Sequence, residues 1–139
     1  MSTTERPRHL RPSRIRVAFL VVAVLAYLAT EFGRFVYRPW VRRSGVDDFG
    51  LADSVGNLGG IVVQIFLTLA VLNPSRKLSF AIAPLLAAGY ILYEFLQSVL
   101  PKGVFDWKDV IGTLLGLALA LAALWAAWRI FPEGSANSD

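Results

Sequence analysis

The chain has no cysteine and a single histidine, His9, near its start. The first absence excludes disulfides and thiol chemistry. Together they leave no nucleophile beside a base, the pairing that covalent catalysis needs. Phosphate-binding loops and dinucleotide fingerprints are missing as well. Charge is scarce, with 17% of residues charged against 55% apolar. At a mean hydropathy of +0.55, there are too few polar residues to clothe a soluble domain.

What the chain does have is long apolar runs, over residues 15–36, 54–72, 78–100 and 110–131. Each is long enough, at ~1.5 Å per residue, to cross a hydrocarbon core of roughly 30 Å. The stretch LGLALALAALWAAW is apolar on every side, which excludes a soluble bundle with charged outer faces. The expected fold class is therefore all-α: a polytopic membrane protein with four transmembrane helices.

These helices read as two tandem two-helix repeats. The segment YILYEFLQSVLPKGVFDWKDVIGTLLG echoes an earlier one, with Tyr27/Tyr90, Glu31/Glu94, Phe32/Phe95, Arg34/Gln97 and Pro39/Pro101 in register. After a longer first link the register resumes with Phe49/Phe105, Asp53/Asp109, Gly56/Gly112, Asn57/Thr113 and Gly60/Gly116. So many matches in order point to duplication. The units are 15–73 and 74–131, flanked by a basic tail (1–14) and a polar tail (132–139). Two spans per unit make this a parallel repeat, related by an axis along the membrane normal.

In chain order, the arginine-rich start is expected to hold the N-terminus inside, near anionic lipid. It lacks a convincing cleavage site, and the first helix carries a repeat element, so that helix is expected to be retained. A short basic flank beside a span is read as a topology signal, so no nucleic-acid partner is expected. The link 36–49, with mixed charges and aromatics, reads as an interfacial loop, and the second span is expected to start at Asp53. Asn73-Pro74-Ser75 makes a tight turn, and Pro84 predicts a kink or hydrogen-bond gap in the third span. With both termini cytoplasmic, Arg6, Arg8, Arg11, Arg14, Arg16, Arg76, Lys77 and Arg129 fall inside. Arg34, Arg38, Arg42, Arg43, Lys102 and Lys108 fall outside, a modest positive-inside bias.

The repeated polar residues are the candidate site. Tyr27, Glu31 and Arg34 share one helical face, as do Tyr90, Glu94 and Gln97. A carboxylate near a helix C-terminus inside a membrane is costly, so it needs a partner: a proton, Arg34 or Lys102, a Tyr hydroxyl, or water. Such acids serve either as a clamp between helices or as a site meeting a ligand, ion or proton. Asp53 and Asp109 are read first as helix N-caps, a role compatible with lining a site. Asp53, Gly56, Asn57, Gly60 and Gln64 form one stripe, and Asp109, Gly112, Thr113 and Gly116 form its counterpart. The paired Gly-x-x-x-Gly spacings predict close helix packing near the repeat axis, with Asn57 and Thr113 bonding across, or else a homodimer contact. The sum is a polar vestibule at the outer end, lined by Glu31, Arg34, Asp53, Asn57, Glu94, Gln97, Asp109 and Thr113. Its carboxylates would suit Ca²⁺ or Mg²⁺, but no spacing is diagnostic, so neither metal nor cofactor is expected.

The segment EFLQSVLPKGVFDWKDVIGTLLG resembles the signature of the VanZ-like family of small bacterial membrane proteins. That signature is Glu-x-x-Gln, an Arg-containing loop, Asp-x-x-Asp and Asn-x-x-Gly. Glu94, Gln97, Asp106, Asp109 and Gly116 match it. The loop Arg is replaced by Gly103 beside Lys102, the Asn by Thr113, and the first-half Asp-Lys-x-x-His is reduced to Asp53-Ser54-x-x-Asn57. The family is named for teicoplanin resistance, so the resemblance implies a cell-envelope role in the bacterial cytoplasmic membrane. From the placement of the site, the expected partner is a membrane lipid: an envelope headgroup or a lipid-linked cell-wall precursor. A proton- or ion-coupled carrier using Glu31 and Glu94, or an enzyme acting on lipid headgroups, are the alternatives.

Overall fold

The computed structural model describes residues 14–100 and 103–132, so residues 1–13 and 133–139 of the tails, with Pro101 and Lys102, lie outside the described residues. The described chain is all helix and connecting turn, and holds four helices long and apolar enough to cross a membrane. They are a continuous span Arg14–Ser44, then α3 (Leu51–Leu72), α4 (Arg76–Gln97) and α5 (Trp107–Ile130). The first span joins α1 (Arg14–Phe32) to α2 (Arg38–Ser44) through a π-helical turn at Gly33–Tyr37.

That join corrects the interfacial loop expected at 36–49. The Arg38 N–H bonds to the Gly33 carbonyl, five residues back, so the helix widens instead of ending. Pro39, which has no N–H to give, follows directly on that wider turn, and the helix carries on past it. Only Gly45 in a left-handed conformation (φ 67°) stops the helix.

The caps are corrected too. Neither Asp53 nor Asp109 caps its helix. Helix α3 starts at Leu51, and Asp48 accepts bonds from the N–H groups of Gly50 (3.1 Å) and Ala52 (2.6 Å). Asp106 is the N-cap of α5, accepting from Lys108 N–H at 2.9 Å. Asn73, left-handed at φ 46°, closes α3, and Ser75 caps α4. Helix α4 runs on through Pro84.

Helices α3 and α5 form the centre; α1 lies mainly on α3, and α4 mainly on α5. At the end opposite the α2–α3 turn, Phe19, Phe66 and Trp128 interlock, with Phe19 edge-on to Trp128 at 6.2 Å. Ile61, Ile65, Leu69, Ala83, Ala87, Ala120 and Leu124 fill the interior. In lipid such contacts act through close packing, not water exclusion, and small residues let backbones approach. A Cβ on Gly112 would stand 2.8 Å from the Ser54 carbonyl, and one on Gly116 would collide with the Leu58 carbonyl and Ile61. In α3 the close approach falls elsewhere. Gly59 packs on Thr30 of α1, while Gly56 has open space and Gly60 only ordinary contact with Tyr90.

Candidate functional site

The acidic residues gather at the end formed by α2, the start of α3, the end of α4 and the start of α5. Hydrogen bonds and ion pairs sort them into groups, with Asp109 lying between, close enough to feel the charges of Arg38 and Asp53. Glu94 on α4 is 5% exposed and turns inward onto α3. Its Oε1 accepts from the Asn57 amide at 3.5 Å, and its Oε2 from the Gln97 amide at 3.0 Å. Gln97 sits one helical turn further along α4, so α3 and α4 each supply one donor. The charges of Asp109 and Asp106 at the start of α5 reach Glu94 as well. Asp109 is half-buried and accepts no side-chain hydrogen bond among the described residues. Thr113 is fully buried and donates to the Asp109 carbonyl at 2.9 Å, not across to Asn57.

Asp53 holds the second group. Its carboxylate meets Arg38 (3.2 Å), Arg42 (3.1 Å) and Lys108 (3.1 Å), tying α2 and α5 to the first turn of α3. Arg38 and Arg42 are one helical turn apart, so both reach the same acid. The helix dipole adds to the attraction, since Asp53 lies at the positive end of α3. Sequence patterning does not single out these three cations. Their signal is the spacing of the arginines at 38 and 42, which counts only once 38–44 is known to be helical.

Glu31 stands apart. It pairs with Arg34 on its own helix at 3.2 Å, and α1 makes no contact with α4 among the described residues. The common centre expected for Glu31 and Glu94 is therefore divided by the α3–α5 pair. Tyr27 is 53% exposed on the outer face of α1, whereas Tyr90 turns towards Gly60. Surface hollows are lined by Phe32, Phe35, Val36, Tyr37, Trp40 and Arg43, and by Gln64, Leu67, Thr68, Val71 and Leu72. Neither includes Glu94.

No family model, characterised protein or solved structure matches this chain. Among the described residues no group of His, Cys, Asp and Glu is arranged to hold a metal ion. What the geometry offers is a sunken carboxylate held by neutral amides, with a second carboxylate beside it that lacks a donor. That combination accepts hydrogen bonds or positive charge.

Asp48 links this end to the turn that precedes α3. Burial pushes its carboxyl up, but bonds from the Ala52 N–H, the Tyr37 hydroxyl (3.1 Å) and the Gly50 N–H outweigh that and hold it below the usual carboxylate range. Because folding lowers this pKa, the stabilisation is complete above the ordinary aspartate value and drains away as pH falls through the lowered one. Acid should thus loosen the corner before the spans. Protection of the Gly50 and Ala52 amides against hydrogen exchange, taken relative to the intrinsic rate at each pH, should fall on the acid side, and Asp48→Asn should remove that pH dependence.

Proposed function

We propose that this is a VanZ-like integral protein of the bacterial cytoplasmic membrane that engages a lipid headgroup, or a lipid-linked cell-wall precursor, at Glu94, Asn57, Gln97 and Asp109. Both termini are cytoplasmic in this reading, so the acidic end faces outward.

One observation carries it: Glu94 is buried within a membrane-spanning helix with amides for partners and no cation. A carboxylate kept only to clamp helices gains most from a basic partner, and an unpaired one is costly to retain. Lys and Arg are at hand in this end of the molecule, yet they gather on Asp53 and leave Glu94 alone. A headgroup rich in amine or hydroxyl donors supplies what is missing. Asp109 gives that donor a second oxygen partner, and exposed aromatics such as Trp107 suit the headgroup level.

The test is lipid retention by the purified full-length protein, read class by class with native mass spectrometry. Wild type should retain an amine- or hydroxyl-bearing lipid, and Glu94→Gln should weaken that retention roughly tenfold, the scale of one charge-assisted hydrogen bond. Equal retention of all lipid classes by both proteins would contradict the reading. Proton-coupled flux in vesicles, abolished by Glu94→Gln without selective retention, would assign the site to a carrier instead. The VanZ-like resemblance adds a cellular expectation, namely that expression raises tolerance to teicoplanin-type glycopeptides.

A further inference from the structure

The arginines around the π-helical turn are not equivalent. Arg34 is paired with Glu31, and Arg38 and Arg42 with Asp53. Arg43 has no acid among the described residues: its Nε donates to the Pro39 carbonyl at 3.3 Å, which leaves both Nη atoms without a partner among them. It rims a groove of about 350 Å³ whose other walls are Phe32, Phe35, Val36, Tyr37 and Trp40. Tyr37 and Trp40 stack at 6.2 Å, and the Tyr37 hydroxyl is tied to Asp48, so one wall is fixed in place.

We propose that this groove seats one anionic phospholipid, with an acyl chain over Phe32, Phe35 and Val36 and the phosphate on Arg43. The site stands apart from Glu94 and does not depend on the role proposed for that residue. Three observations commit it to lipid. First, the groove faces away from the bundle: Gly33 packs on Val55 of α3, and Arg38 and Arg42 turn to Asp53, so the groove residues take the opposite side of the helix. Second, its height is right. Counting from Arg14 at ~1.5 Å per residue, Phe32 lies ~27 Å and Arg43 ~44 Å along the span, either side of the edge of a hydrocarbon core of roughly 30 Å. Third, the chemistry is graded along that height, from apolar through aromatic to a free guanidinium fork suited to phosphate oxygens. The π turn makes the groove, since the wider turn shifts Phe35 and Val36 relative to a regular helix.

The experiment uses the full chain released from bilayers of mixed phosphatidylglycerol and phosphatidylcholine, with the ratio of retained lipids read by native mass spectrometry. Wild type should favour phosphatidylglycerol. Arg43→Ala should reduce the preference about tenfold, and Val36→Trp, which fills the groove, should reduce it too. Arg34→Ala removes the same charge from a paired, exposed position and should leave the ratio unchanged. Measured again in a Glu94→Gln background, where any hydroxyl-headgroup binding at that carboxylate is already weakened, the loss on Arg43→Ala should persist, which separates this groove from the Glu94 site. An equal loss in Arg34→Ala and Arg43→Ala would reduce the effect to general surface charge and overturn the proposal. So would displacement of the lipid by glycerol phosphate alone, or a dimeric species whose formation Arg43→Ala abolishes.

Discussion

Gly116→Leu should unfold the bundle at its centre. Position 116 lies against the α3 backbone, where a Cβ alone would collide with the Leu58 carbonyl and with Ile61. A backbone carbonyl cannot step aside as a flexible side chain does, so α3 and α5 must separate. Because α1 hangs mainly on α3 and α4 mainly on α5, separating that pair loosens all four spans. The expected loss is about 3 kcal/mol, the upper end of the range for overpacking. Thermal unfolding in a mild detergent, followed by far-ultraviolet circular dichroism, measures it. Gly56→Ala, in the glycine pair of the other repeat, has open space around it and should be close to neutral.

Asp53→Lys should release the first span from the other helices at the headgroup end. The substitution breaks contacts with Arg38, Arg42 and Lys108 and leaves four cations facing one another. Each pair is partly exposed, so solvent screening limits each to roughly 0.2–1 kcal/mol. Three lost attractions plus new repulsions of similar size come to roughly 2–3 kcal/mol. Asp53→Asn should cost less, because it removes the attraction without adding a charge. The loss in Asp53→Lys should be greatest at low ionic strength, where repulsion is least screened, and Asp53→Asn should converge on wild type as salt rises. Unfolding midpoints across a salt series check both.

The four spans are legible in sequence because their apolar runs exceed the bilayer core, a signal that no local detail can hide. The far end of the first helix is hidden for an identifiable reason. Arg38, Pro39, Arg42 and Arg43 with the nearby aromatics look like an interfacial link, and the helix carries them onward through a π turn. The glycines show a different limit. Spacing marks both pairs as packing residues, but spacing does not say which way a helix is turned. Helix α3 presents Ser54, Leu58 and Ile61 to α5. Gly56 lies two residues from Ser54 and from Leu58, about 200° round the helix from each, and so faces elsewhere. The site follows the same logic. Glu94 and Asn57 each lie on a polar stripe readable in sequence, and the fold brings them together. Glu31 shares the repeat pattern with Glu94, but α1 and α4 lie on different sides of the central pair.

An experimental structure of the protein in a lipid bilayer, with density resolved at the end of α4, tests the central claim most directly. The predicted result is a headgroup donor within hydrogen-bond distance of the Glu94 or Asp109 carboxylate, beside Asn57 and Gln97. A Glu94 carboxylate contacted by those two amides alone, with Asp109 bare and every ordered lipid elsewhere on the surface, would contradict it.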